Sequence, residues 1–342
     1  MKPSLTRYLM CPTCHGDLRL DDERLGDGAE IVDGALTCLR CAHAYGIVRG
    51  IPRFPLASLE KITSVTQRTQ RTYAFTWRSF GESHVEGEWE KDSYRYVEMI
   101  PPELTSGTGK VGLDAGCGAG HDLLRMARGG AEIIGFDLSD GVETAYRLTR
   151  HFPNVHVVQG DLNHTPFKPR QFDFIYSFGV LHHLPEPLRG FENLSRLLKP
   201  GAPLITYLYE DFSDRSRVER GILAGIRALR RVTSHLPAGV LYALCCLAAP
   251  VVWVSCSVPA RLLTPVVPRL AHRIPFRHTL RWNVLASDLF DRFAPPVEWR
   301  YSKDGVQALY RTVGLDEVET HRYRGWVSWG CRTMPAVAER RA

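Results

Sequence analysis

Two sets of residues have the types and spacings of working chemistry. The first is Cys11-Pro12-Thr13-Cys14 followed, 24 positions after Cys14, by Cys38-Leu39-Arg40-Cys41. A CxxC turn presents two thiolates to one side, and two such turns joined by a hairpin complete a tetrahedron around Zn2+. With Cys11, Cys14, Cys38 and Cys41 all supplying ligands, no position is left for water, so the metal would be structural. The second is Asp114-x-Gly116-x-Gly118-x-Gly120, which closes a short apolar strand starting at Val111 and opens a helical stretch at His121. A strand, glycine loop and helix form a nucleotide site, because small residues let the backbone approach a ligand and the helix start offers free N–H groups. A dinucleotide fingerprint needs a third glycine where His121 stands. An acid just before the loop repels a pyrophosphate and suits a cation, such as the amino-acid end of S-adenosylmethionine.

The elements that must position these residues can be followed along the chain. Between the cysteine pairs, Leu18 and Leu20, then a polar run from Asp21 to Glu30, then Ile31 and Leu36, predict a hairpin. A segment this poor in large apolar residues needs the metal to fold. Glu132–Phe136 reads as a second core strand ending at Asp137, 21 residues after Gly116, where a carboxylate accepts ribose hydroxyls. Asn154–Gln159 is a third, ending at Asp161 and Leu162, placed for the adenine amino group. Phe172–Ser177 is a fourth, running into His182 and His183. A helix over Phe191–Leu198 and a fifth strand over Leu204–Tyr209 follow. Ser302–Gly314 predicts another helix, and Leu315–Arg324 and Trp326–Thr333 the last two strands. Upstream of the core, Tyr73 and Trp77 stand one helical turn apart, able to pack on the sheet and to cap the cofactor cleft.

LDAGCGAG, GFDLSD, GDL, FDFIYSFGVLHHLPEP and LSRLLKPGAPLI resemble the class I S-adenosylmethionine-dependent methyltransferases, notably the quinone-biosynthesis and small-molecule group. The resemblance implies an α/β fold: a Rossmann-like seven-stranded sheet with a reversed last strand and helices on both faces. It further implies that Gly116, Gly118 and Gly120 line the cofactor loop, that Asp137 with Leu138 holds ribose and Asp161 with Leu162 adenine, and that Ser177 to Val180 form the wall beneath the sulfonium. LMCPTCHGDLRL and GALTCLRCAHAYGIVRGIPRF are similar to the zinc-ribbon domain of small activators that partner tRNA and protein methyltransferases. Members commonly read YPI where this chain has Tyr45-Gly46-Ile47. Methyl transfer asks the protein for alignment, water exclusion and sometimes a base, for which His182 and His183 are the nearest candidates.

The expected organisation is a zinc ribbon (1–55), a linker with N-terminal helices (56–105), the cofactor-binding core (106–210), a helical insertion after strand five (211–301), and the last helix and two strands (302–342). The insertion begins basic, then carries no formal charge from Val232 to Ala260, a run longer than the ~20 residues of a bilayer span. Pro237 and Pro250 are expected to break that run into short pieces. Three readings follow: an apolar lid, a hairpin dipping into one leaflet with Arg227, Arg230, Arg231 and Arg261 at the headgroups, and, ranked last, a true span. The first two lead to a hydrophobic small-molecule or lipid-like acceptor, with peripheral membrane contact through 232–260. An RNA (rRNA or tRNA) methyltransferase with a ribbon that binds RNA or a protein partner ranks second. The Asn/Asp-Pro-Pro-Tyr motif of many base-nitrogen methyltransferases and the Pro-Cys nucleophile of cytosine-C5 enzymes are both absent. A net charge of +6 permits an anionic partner without demanding one. A non-enzymatic cofactor-binding scaffold ranks third. Nine cysteines without a disulfide pattern, and an N-terminus lacking the apolar run of a signal peptide, lead to the expectation of a cytoplasmic protein, peripheral on the inner face of the membrane.

Overall fold

The computed structural model describes residues 1–26, 30–55, 64–85, 98–271, 274 and 282–333. The chain opens with a 3-10 turn (Pro3–Tyr8) and four strands: β1 (Leu18–Leu25), β2 (Ile31–Cys38), β3 (Ala44–Val48) and β4 (Ile51–Pro52). They form one antiparallel sheet in sequence order. The polar run after Leu20 is not all turn. β1 continues through it to Leu25, with a register shift after Asp21 that lets polar residues sit in a strand exposed on both faces.

Next come α1 (Ser64–Val85) and α2 (Pro102–Thr105), then β5 (Val111–Ala115), α3 (His121–Ala127), β6 (Glu132–Asp137), α4 (Gly141–Thr149), β7 (Val155–Gln159), β8 (Phe174–Phe178), α5 (Pro187–Leu197) and β9 (Pro203–Leu208). After the insertion, α11 (Lys303–Thr312), β10 (Leu315–Arg322) and β11 (Trp326–Arg332) return to the same sheet. Its order is β10-β11-β9-β8-β5-β6-β7, with β11 antiparallel to both neighbours. The central strands read as continuous Ile, Leu, Val and Phe because parallel strands are covered on both faces. Leu113, Ile133, Ile134, Phe174, Ile175 and Leu204 are accordingly fully buried. α5 starts a turn earlier than the sequence predicts, because Pro187 suits the first helical position, where no amide is needed.

The chain divides into two compact units. The first gathers the described residues of Met1–Glu82, Tyr96–Asp211 and Val297–Ala342. The ribbon is therefore part of the core unit rather than a bead on a linker. Leu9 bridges Phe167, the Met10 amide donates to Pro166 O (2.8 Å), and the Phe54 amide donates to Gln159 O (2.8 Å) beside β7. Leu5, Tyr8, Tyr45 and Phe54 share one buried cluster with Phe136, Phe167 and Phe172. Arg7 and Tyr8 both reach Glu132 at the start of β6.

The second unit is built on Phe212–Pro296. It holds α6 (Arg217–Thr233), α7 (Ala238–Val252), a π turn (Trp253–Ser257), α8 (Val258–Leu263), α9 (Pro268–Ala271) and α10 (Trp282–Phe293). A capping box starts α6: the Ser216 hydroxyl accepts from the Glu219 amide while the Glu219 carboxylate takes the Ser216 amide. Pro237 caps α7 rather than interrupting it, and Pro250 lies inside the helix. A π turn follows at Trp253–Ser257, and helix continues from Ala238 to Leu263 where short pieces were expected. The insertion also ends earlier than 301. The amides of Trp299 and Tyr301 donate to His182 O (2.8 Å) and Tyr209 O (2.9 Å), which places them in the first unit.

Candidate active site and metal centre

The four ribbon cysteines converge. Their sulfurs all lie within 4.8 Å of one another, with Cys11 to Cys41 at 3.8 Å and Cys14 to Cys38 at 3.4 Å. A zinc–sulfur bond of about 2.3 Å in a tetrahedron sets sulfur–sulfur edges near 3.8 Å, so the donor set fits Zn2+. The first pair sits on the turn after the N-terminal 3-10 element, the second at the end of β2. Burial opposes ionisation of Cys11, yet the Tyr45 hydroxyl (3.2 Å) and the amides of Cys14 and Thr13 outweigh it and draw the thiol down to about 6. Tyr45, to which the sequence reading gave no role at the metal, thus supports from outside the tetrahedron a thiolate of the kind a metal takes.

In the core, each glycine of the loop has a steric reason. Gly116 (φ +97°) lies where a Cβ would come within 2.3 Å of the Val180 side chain. Gly118 lies under the indole of Trp77, which a Cβ would meet at 2.5 Å, and the same indole is 2.9 Å from a Cβ placed on Gly141. Gly120 approaches Ala145 of α4. Trp77 therefore covers the loop. Tyr73, one turn earlier on α1, lies with its ring 5.6 Å from His183.

Asp137 at the end of β6 organises the loop as well as facing it. One carboxylate oxygen accepts from the Gly118 amide (2.9 Å), the other from the Ser139 amide (2.7 Å) and hydroxyl (2.6 Å). Ser139 was missed by sequence reasoning, although a serine two residues after an aspartate is a recognisable local turn signal. Leu138 O accepts from the Gln70 side chain of α1 (3.5 Å). Asp114 is 3% exposed, and its Oδ2 has no hydrogen-bond partner among the described residues. Burial, then the nearby charge of Asp122, push its carboxyl well above the usual range. The Tyr176 phenol alone among the described residues faces this carboxyl as a donor, and a buried acid beside a glycine loop with one oxygen unpaired fits a ligand's cationic group. At the end of β7, Asp161 accepts from the Asn163 amide (2.9 Å), and Leu162 O from the Asn193 side chain (3.0 Å).

Past β8 the expected wall divides. Ser177 is fully buried and donates its hydroxyl to Ala115 O (2.7 Å), so this side chain ties β8 to β5. His182 and His183 form a 3-10 turn. His182 is fully buried, its ring 4.0 Å from Tyr209 and 4.2 Å from His183. His183 Nδ1 meets Val297 O at 2.7 Å, which makes Nδ1 the donor and Nε2 the basic nitrogen. Arg300 lies over the Tyr209 ring at 5.1 Å, and Arg322 over Trp326 at 4.6 Å, each beside an acid (Glu298 and Glu210). Sequence patterning could not find this aromatic–guanidinium cluster, because Tyr209 and Arg300 are separated by the whole insertion.

Comparison with known proteins agrees with this geometry. Residues 113–206 match the family described as methyltransferase domain, and residues 2–50 the family described as Trm112p-like protein. Among curated relatives, a tRNA U34 carboxymethyltransferase of Pseudoalteromonas atlantica is 32% identical over 126 residues, 36% of this chain and 38% of that protein. One from Hydrogenovibrio crunogenus is 34% identical over 150 residues, 40% of this chain and 44% of that protein. The chain thus spans well under half the length of these relatives. A solved complex of the Haloferax volcanii Trm112 methyltransferase activator with a methyltransferase is 13% identical and covers 77% of this chain and 98% of its own, at a TM-score of 0.44. At that score the likeness is loose.

These relatives overturn the expectation of a hydrophobic or lipid-like acceptor, and with it the placing of nucleic acid second. That expectation rested on the insertion's composition, and a surface helix in another unit says nothing about which acceptor the core takes. The glycine loop, the acids at successive strand ends and the two family matches lead to one conclusion: the chain joins a Trm112-like domain to a methyltransferase domain of the S-adenosylmethionine-dependent class.

Proposed function

We propose that the chain is an S-adenosylmethionine-dependent methyltransferase acting on tRNA. The observation that carries this reading is the likeness to proteins named tRNA U34 carboxymethyltransferases. The site is compatible with it. Past β8 the Tyr209 ring is partly exposed and packs on His182, and such a ring can stack on an unstacked base.

When bound, S-adenosylmethionine supplies a methyl group on a positively charged sulfur. Asp114 would neutralise its amino-acid cation, Asp137 with Leu138 would hold the ribose, and Asp161 with Leu162 the adenine, while Gly116, Gly118 and Gly120 allow close backbone approach. Trp77 and Tyr73 on α1 close the cleft against water. His183 is the candidate to take the acceptor's proton at Nε2, with His182 supporting its ring. Cys11, Cys14, Cys38 and Cys41 would hold a structural Zn2+, and the ribbon is the surface offered to RNA or to a protein partner. We place the enzyme in the cytoplasm.

The test is a nucleoside comparison by mass spectrometry of tRNA from cells with and without this chain. A methylated nucleoside present only with the chain supports the reading. Identical nucleoside profiles, with the chain expressed and folded, would refute it.

A further inference from the structure

The methyl-transfer site does not account for the outer surface of the insertion. Along α7 and the π turn, Val240, Leu244, Leu247, Val251 and Val254 repeat at four- and three-residue steps, which puts them on one face of the helix. That face is open: Leu247 is 75% exposed, Val251 68% and Val254 61%. The opposite face (Leu241, Cys245, Ala249) is buried, and Tyr242 meets Phe290 of α10 edge-on at 6.1 Å. The most apolar 18-residue stretch of the helix Ala238–Leu263 has a mean hydropathy of 2.0, yet only 17% of it is buried. It is therefore not the core helix of a soluble domain.

α6 repeats the pattern with charge added. Val218, Ile222, Leu229 and Val232 form an exposed apolar row, flanked by the exposed Arg217, Arg220, Arg227 and Arg231. Residues 212–296 contain twelve arginines against four acids, a net +8, whereas the whole chain is +6. The insertion thus carries all of the molecule's positive excess, next to its largest uncharged run.

We infer that the insertion docks the enzyme on an anionic lipid surface. The row on α7 would enter the acyl boundary, and the arginines of α6 would meet the headgroups. Charge complementarity selects this occupant. A second copy would bring an identical +8 unit against the first, whereas anionic headgroups neutralise it. Lying on the surface, rather than spanning it, follows from α10: the helix packed against the inner face of α7 carries Asp288, Asp291 and Arg292. The lipid here is a surface and not the methyl acceptor, so this inference does not depend on the tRNA reading.

The test is flotation of the full chain with phosphatidylcholine vesicles, with and without about a third phosphatidylglycerol. The wild type should float with anionic vesicles and at least about tenfold less with neutral ones. L247E/V251E should abolish flotation, and R227E/R231E should abolish the preference for anionic lipid. Both variants should retain the wild-type affinity for S-adenosylhomocysteine, which shows that they fold. Failure of the wild type to bind either vesicle would overturn the inference. So would a wild-type dimer in sedimentation that L247E/V251E converts to monomer, because the row would then be an interface between copies.

Discussion

Asp137 and Asp114 sit on adjacent strands of one loop, yet they carry different duties. Asp137 already holds the Gly118 amide and Ser139, so a ribose would share a carboxylate that also builds the loop. Asp137→Asn should therefore weaken S-adenosylhomocysteine binding by about ten- to a hundredfold, the cost of one or two charge-assisted hydrogen bonds, while the chain stays folded. Calorimetric titration with a circular dichroism control measures this, and wild-type affinity would remove Asp137 from the site. Asp114 adds a pH dependence. Its folded pKa is raised, so the proton it holds favours the fold at low pH, and that contribution is lost as pH rises through the raised value. A bound cation favours the carboxylate, so cofactor affinity should rise with pH through the same window and binding should release a proton. Titrations in buffers of different ionisation enthalpy read that proton directly. For the acceptor step, His183→Ala should lower kcat by about a hundredfold or more and leave cofactor affinity unchanged. An unchanged kcat would make His183 structural, as its bond to Val297 O already is.

Among the elements, the ribbon and the sheet depend on one another. Phe54 hydrogen-bonds beside β7 one residue before Gly160-Asp161, and Tyr8 and Leu9 clasp the far side of the same region. Removing the metal by chelation, or substituting Cys38→Ser, should lose one zinc per chain. It should also lower the melting temperature of the methyltransferase core by at least about 5 °C, in the same transition as the ribbon. Scanning calorimetry alongside metal analysis decides it, and two independent transitions would contradict the shared core. The strands were legible because hydrophobic runs bounded by glycine and proline encode them locally, and the cysteine and glycine–acid spacings encode their sites in the same way. Other features were not legible. Pro250 is one: a proline in an apolar run reads as a break, yet here it lies inside a continuing helix. The fusion of ribbon and sheet rests on long-range contacts, Leu9 with Phe167 and Phe54 with β7, which have no periodic signature.

At the scale of the whole molecule, charge and chemistry are divided between units. The first unit holds the cofactor loop, the acids at its strand ends and the four ribbon cysteines, while residues 212–296 carry the positive excess. An acceptor recognised through its phosphates should bind at least about tenfold more weakly when salt is raised from about 50 to 200 mM, with cofactor affinity barely altered. The insertion's composition drew the sequence reading towards a lipid acceptor because a sequence records apolarity without recording which unit it belongs to. The most direct test of the central claim is transfer of label from methyl-labelled S-adenosylmethionine, by the purified zinc-loaded chain, into a mixture of tRNA and lipid extract. The account predicts label in a tRNA nucleoside, lost with Asp137→Asn. Label confined to lipid, or no transfer by a chain that binds S-adenosylhomocysteine, would contradict it.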